Sequence, residues 1–292
     1  MIHEIFRNAL ARRYEAIKAQ YPTEGRRKWR LRTLYESWPT TTSPQNPNQG
    51  DASKSIAQSS FDTDHDPLDQ LLEGDELGLI IRTDFTNHEA WDTFSQKVKV
   101  AQKELIFELT GNGPGPTIMD ASTSEDSTMK EEANDDADEE ESDSSLEISD
   151  IVKILDPSDE ADKIKLTNIS NIAALRLFND VDIRPAPALP AGTKRISPPN
   201  PLIDLGGWQE IYTGKNLWIY DAQSNADECV RVVSQAGEFY GTASGDSWRA
   251  RHSHICELQF NMTHQGLKID FNGLDKWDWN ERVRNIQESQ NI

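Results

Sequence analysis

The most pointed chemistry in this chain sits late, at His252, His254 and Cys256, which alternate along the sequence. On a strand, where side chains alternate between faces, all three would turn to one side as nitrogen and sulfur ligands for a metal such as zinc. On a helix His254 turns away from the other two, and no fourth ligand of matching spacing accompanies them, so packing is the expected role and no metal is assigned. Just before them, Gly245, Asp246 and Ser247 have the residue order of a serine-hydrolase nucleophile turn. No Asp-x-x-His follows and there is no Gly-x-Ser-x-Gly elbow, so the triplet reads as a flexible turn whose Asp246 or Ser247 caps the next element. Trp248 between Tyr240, Arg249 and Arg251 is a candidate binding group, since an aromatic flanked by two guanidinium groups can grip a carboxylate or phosphate; the alternative is a core Trp with arginines at its rim. Asp84 follows an apolar run directly, at the carboxyl edge where open α/β sheets place their sites, and Asp221 follows another. Without a companion carboxylate or a Gly-rich phosphate loop, Asp84 is expected to brace a turn, and no cofactor is expected.

The elements that must position these residues follow from apolar periodicity. Residues 77–83 form a short apolar run that fits a strand covered on both faces. Thr86 and Glu89 then have capping-box spacing, and Trp91, Phe94, Val98, Ala101 and Leu105 fall on one helical stripe. Residues 151–155 repeat the strand signature up to Asp156 and Pro157. Leu166, Ile169, Ala173 and Leu177 make a second helical stripe, widened by Ile172 and Leu175. A helix between two buried strands predicts a parallel pair with a right-handed crossover. Six prolines between 185 and 201 predict an extended strap over 184–201. Residues 210–212, 217–220, 229–233 and 239–243 read as further strands, and 247–261 is ambiguous between helix and strand. Asp278 and Glu281 again have capping-box spacing, which starts a final helix with Trp279, Val283 and Ile286 on its inner face. At the other end, Ile2, Phe6, Leu10, Tyr14, Ile17 and Tyr21 recur at spacings of three and four, an amphipathic helix stopped before Pro22.

Charge divides the chain more sharply than hydropathy does. Residues 120–150 hold fourteen Asp and Glu against the single Lys130, thirteen of the net twenty negative charges. Threaded with serines and nearly free of aromatics, such a run cannot bury enough apolar surface to offset its ordering entropy, so 111–149 is expected to be a disordered insertion. Residues 1–36 carry nine Lys and Arg against four Glu. This basic arm is expected to pair with the acidic tract or to be solvated, and its spacing leaves open whether its helix docks on the main domain. Residues 37–70, mostly Thr, Ser, Pro, Asn, Gln and Asp, read as a disordered linker. The expectation is therefore one α/β (or α+β) domain over 71–292, a single sheet with packed helices, split by the acidic insertion and preceded by the basic arm. A net charge of −20 argues against duplex DNA binding, and no apolar stretch is long enough for a membrane span. With Cys229 and Cys256 as its two cysteines, the chain suits a reducing compartment, cytoplasmic or nuclear. A mitochondrial presequence is the lesser alternative, weakened by Glu4, Glu15 and the scarcity of Ser.

The segment Leu79-Ile80-Ile81-Arg82-Thr83-Asp84-Phe85, with Ala90-Trp91 after it, resembles the opening strand and helix of domain of unknown function 6924, a family of fungal and bacterial proteins. Leu217-Trp218-Ile219-Tyr220-Asp221 and the Trp248 region are similar to its central strand and late tryptophan segment, and 179–186 and 207–220 resemble filamentous-fungal members. The resemblance covers about residues 76–288, implies an α/β domain, and carries no established activity. The expected function is a non-catalytic interaction module that offers its acidic tract to a basic protein partner. The alternative is a small-molecule enzyme with its site near Asp84 and Asp221.

Overall fold

The hydrophobic run predicted to open the domain is a strand whose five residues are all buried, and it becomes the second strand of the main sheet. The protein is described here from a computed structural model, over residues 2–39, 60–111, 150–194, 199–269 and 278–291. In chain order the elements are α1 (Glu4–Gln20), α2 (Arg26–Glu36), α3 (Ser60–Thr63), α4 (Asp69–Leu72), β1 (Gly78–Arg82), α5 (His88–Thr110) and β2 (Val152–Leu155). Then come α6 (Glu160–Leu166), α7 (Asn171–Phe178), β3 (Asp180–Pro185), β4 (Trp208–Thr213), β5 (Asn216–Tyr220), α8 (Ser224–Asp227) and β6 (Cys229–Val233). Last are β7 (Ser247–Arg251), α9 (Ile255–His264) and α10 (Trp279–Glu288).

The main sheet has the order β2-β1-β5-β6-β7, and β3 and β4 form a separate antiparallel pair. β1 lies parallel to both β2 and β5, which confirms the predicted parallel pair, while β6 runs antiparallel to β5 and to β7. Strand alternation divides the core into two. Leu79, Ile81, Leu217 and Ile219 face α1, α2, α7 and the β3–β4 pair. Ile80, Trp218 and Tyr220 face Trp91, Phe94 and Val98 of α5 and Ile255 and Cys256 of α9. Helices on both faces of a mixed sheet make this the expected mixed α/β architecture.

Several expectations need correction. The N-terminal segment is two helices, and two of its arginines are structural: Arg27 ion-pairs with Asp66 at 2.6 Å and Asp69 at 2.7 Å, and Arg26 with Asp180 at 2.6 Å. These buried guanidinium groups are neutralised by carboxylates of the folded domain, because buried cations require close counter-charges. Part of the expected linker is folded as well. Phe61 and Asp66 are buried, and Tyr14 and Lys18 of α1 reach Asp64. Residues 40–59 lie outside the described residues, as does the acidic tract over 112–149.

The stripe over 166–177 belongs to two helices broken at Asn168, whose φ is 51°, and the face that α7 buries is Ile172, Ala174, Leu175 and Phe178. The cap of α5 is Asn87, which accepts from the Ala90 amide, while Thr86 bonds Asp84 instead. The Pro-rich strap begins inside β3, whose Arg184 and Pro185 pair with Gln209 and Trp208. Residues 239–243 are turns, with Thr242 N donating to the Phe239 carbonyl. The 247–261 segment resolves into β7, a 3-10 turn over His252–His254 and α9. Asp278 caps α10 as predicted, but the buried face of that helix is polar, Glu281, Arg282 and Asn285, while Trp279 is 58% exposed.

The polar face of α10 has a target. Glu281 Oε1 accepts from the Asn171 amide at 2.7 Å and Asn285 Oδ1 from the Ile172 amide at 3.1 Å, so α10 caps the first turn of α7. Gly245 closes the same contact: at φ +83° it adopts the left-handed conformation that favours glycine, and its carbonyl accepts from Asn171 at 2.8 Å and Asn285 at 2.9 Å.

Candidate functional site

Because β2, β1 and β5 run parallel, their carboxyl ends reach one edge, which collects Arg82 at the end of β1, Thr83 and Asp84 after it, Asp156 after β2 and Asp221 after β5. Two clusters of charge form there. In the first, Asp221 opens a turn and accepts from Ser224 N and Oγ, both at 3.0 Å, while Arg249 of β7 grips the carboxylate from Nη1 at 2.9 Å and Nη2 at 3.0 Å. Arg249 lies directly opposite Arg231 on β6, a cross-strand repulsion that Asp221 relieves by also lying 3.4 Å from Arg231 Nε. Arg231 in turn pairs with Glu281 of α10 at 2.9 Å, so the chain of charges runs from β7 through β5 and β6 to the last helix. Burial works to raise the Asp221 carboxyl, but the Arg249 hydrogen bonds and the charges of Arg231 and Arg249 outweigh it and hold the group below its ordinary value.

The second cluster centres on Arg82, whose side chain is 3% exposed. Its Nε donates to the Asp84 carbonyl at 3.0 Å, its Nη1 to Asp156 at 3.3 Å, and its Nη2 lies 3.0 Å from His88 Nδ1. The guanidinium sits 5.1 Å from the ring centres of both Phe85 and Trp91, and Trp91 Nε1 donates to Asp156 at 2.8 Å. Between the clusters, Asp84 accepts from Thr86 Oγ1 and Asn225 Nδ2, each at 2.7 Å, and Tyr220 donates its hydroxyl to Asn225 Oδ1 at 2.7 Å. Asp84 therefore braces its turn, as expected, and ties it to α8.

The proposed aromatic and guanidinium clamp does not assemble. Strand alternation sends Trp248 to the α5–α9 side, where it packs on that core, while Arg249 points the other way into Asp221. Arg251, on the same side as Arg249, is exposed at the strand end, and Tyr240 donates to the Lys194 carbonyl at 3.3 Å. The metal candidate also fails. His252 and His254 lie in the 3-10 turn and Cys256 in α9, so strand alternation does not apply, and among the described residues no group of three His, Cys, Asp or Glu could hold a metal ion. Burial pushes the Cys256 thiol up to about 12, which keeps it protonated and inert. Asp246 is buried, accepting from the Ala243 amide at 2.8 Å and pairing with Arg282 at 3.2 Å, so the Gly245-Asp246-Ser247 turn is structural.

Sequence reasoning gave no site role to Arg82, Asp156, Asn225, Arg231 or Glu281. The signal for two of them was present: a charged residue ending each of the apolar runs 79–81 and 151–155 marks the carboxyl end of a buried strand. Beside Asn225 a cavity of about 270 Å³ opens at the start of α5, lined by Asn87, Glu89, Ser224 and Glu228 among others. What the edge does chemically is lock strands, turns and α10 together through paired charges.

That pairing has a pH signature. A carboxyl whose folded pKa is depressed contributes stability that is fully present above its unfolded value, about 3.9 for Asp, and is lost as pH falls through the folded value. Urea titrations at pH 7 and pH 3 are expected to show the wild type losing more stability on acidification than Asp221→Asn; equal losses would contradict the placement of Asp221. No family model, characterised protein or solved structure matches this chain.

Proposed function

We propose that this chain is a non-catalytic protein-interaction module: a rigid α/β platform that carries an acidic tract for a basic protein partner. The observation that carries the reading is the inward pairing of the carboxyl edge. Asp221 is engaged by Arg249 and Arg231, Arg82 by Asp156, and Asp84 by Asn225 and Thr86. Charges committed to one another in this way stiffen a scaffold, since each group is held by partners within the fold. The fourteen Asp and Glu of residues 120–150 supply the complementary feature, a dense negative charge between α5 and β2. Among the described residues no helix is long and apolar enough to cross a membrane. Cys229 and Cys256 are not joined in a disulfide, which supports a cytoplasmic or nuclear setting, and kinship with domain of unknown function 6924 is part of the same proposal.

The test is a pull-down from cell extract with the whole chain and with a variant lacking residues 120–145, at low and high salt. Partners held by the tract are expected only with the whole chain, and to fall away as the screening length shrinks from about 10 Å at 0.1 M to about 3 Å at 1 M. The deletion is expected to leave the thermal midpoint nearly unchanged, since the tract is too polar to contribute to a core and loop closure depends weakly on length. The same partners from both proteins, without salt dependence, would overturn the role of the tract. A second reading, a small-molecule enzyme, has in its favour the cavity beside Asn225, whose volume of about 270 Å³ is close to the lower end of the range for small-molecule sites. Turnover that Asn225→Leu abolishes would establish it.

A further inference from the structure

The carboxyl end of edge strand β2 carries a second feature, on the side of the sheet that faces α7. There α4, the β2–α6 connection, α6 and the end of α7 enclose a cavity of about 180 Å³. Its floor is apolar: Leu155, Leu166 and Phe178 are 8%, 4% and 2% exposed, and the half-buried Leu71 of α4 forms one wall. Its mouth is acidic. Asp156, Asp159 and Asp162 line it against the single Lys165. Asp156 is engaged by the Trp91 indole at 2.8 Å and by Arg82 at 3.3 Å, and Asp162 by Lys165 at 2.9 Å, whereas Asp159, the residue that precedes α6, makes no side-chain capping bond and is exposed.

We propose that this cavity is a docking site for one lysine or arginine side chain of a basic segment in a partner protein. This rests on the reading of the chain as an interaction module and adds a surface on the folded domain to the acidic tract. Size and chemistry select the occupant. Sites for drug-sized molecules run from about 300 to 1,000 Å³, and this one is smaller, with room for one long side chain. An apolar tube with carboxylates at its rim matches a side chain that buries an aliphatic stem and keeps a charged head at the surface. An acidic side chain is repelled at the mouth, and an aromatic one brings no positive charge to the acidic rim. The neighbouring connection reads Asp156-Pro157-Ser158-Asp159-Glu160, so a run of basic residues finds further negative charge on either side of the opening.

The experiment uses the whole chain and a fluorescent peptide of alternating Lys and Leu, with its Glu-for-Lys counterpart as control. Affinity is measured by anisotropy and the site is located by methyl NMR of the leucines. Asp159→Asn/Asp162→Asn is the principal variant; it keeps a capping residue at 159 and changes two of the fifty acidic residues of the chain. Thermal midpoints check that it remains folded. The expected result is binding of the Lys peptide alone, shifts at Leu71, Leu155 and Leu166, and roughly tenfold weaker binding to the variant. Leu71→Gln, which alters the wall and leaves the rim intact, is expected to weaken binding as well. Equal affinity for wild type and both variants, with leucine shifts elsewhere or none, would overturn the cavity as the site while leaving tract-mediated binding standing. No binding of the Lys peptide at low salt would overturn both.

Discussion

Trp91→Ala is expected to cost about 3–5 kcal/mol of folding stability, the range for deleting a large aromatic from a core. Trp91 is 2% exposed and joins the two levels of the structure. Its ring meets Tyr220 edge-on at 4.9 Å and stacks near Phe94 at 6.0 Å, so truncation opens a void between α5 and the sheet. Its indole N–H is bonded to Asp156, and its face lies against Arg82, so the same change strips a donor and an aromatic surface from the charge cluster at the carboxyl edge. Trp91→Phe separates the two effects, because it keeps most of the packing and loses the hydrogen bond; its cost is expected to be less than half as large. Urea denaturation at neutral pH measures both. A loss below about 1 kcal/mol for Trp91→Ala would place the side chain outside the core and remove the link between α5 and the edge.

Arg27→Ala is expected to be comparably destabilising, about 3–5 kcal/mol, because it leaves a buried carboxylate without its partner. Arg27 and Asp66 side chains are 6% and 7% exposed, and their ion pair at 2.6 Å is supplemented by the Arg27 amide, which donates to Asp66 at 3.0 Å. Asp66 thus stands in for the missing side-chain cap of α2, whose N-cap residue is Gly25. A side chain at Gly25 has no room, since its Cβ would lie 2.5 Å from Asp66 Oδ2. Replacing both partners, as in Arg27→Met with Asp66→Leu, is expected to recover much of the loss, because matched apolar groups need no counter-charge. Chemical denaturation of the two single variants and the double variant decides it. If Arg27→Ala proves neutral, the basic segment is an appendage, and the pairing with residues 64–69 is incidental.

What was legible in the sequence is what local periodicity controls. Leu79, Ile80 and Ile81, and the Trp91, Phe94 and Val98 stripe, announce β1 and α5 because a strand buried on both faces and an amphipathic helix each write their pattern into consecutive residues. Asp278 announces the start of α10 for the same reason, since a cap acts over three residues. The opposite holds wherever polar groups are buried against distant ones. Arg26 and Asp180 are 154 positions apart, and the Asn171 amide and Glu281 are 110, so nothing near either partner signals that a basic arm will be neutralised or that a helix will dock by its polar face. α10 shows the consequence, with Trp279 and Val283 outward where apolar spacing placed them inward. The candidate site divides along the same line. Its position, at the carboxyl ends of the buried strands, follows from the order of strand and helix in the sequence. Which charges meet there was decided by the tertiary structure: the β6–β7 register sets Arg231 against Arg249, and the turn after β5 brings Asp221 between them, a pairing that exists only once three strands have aligned.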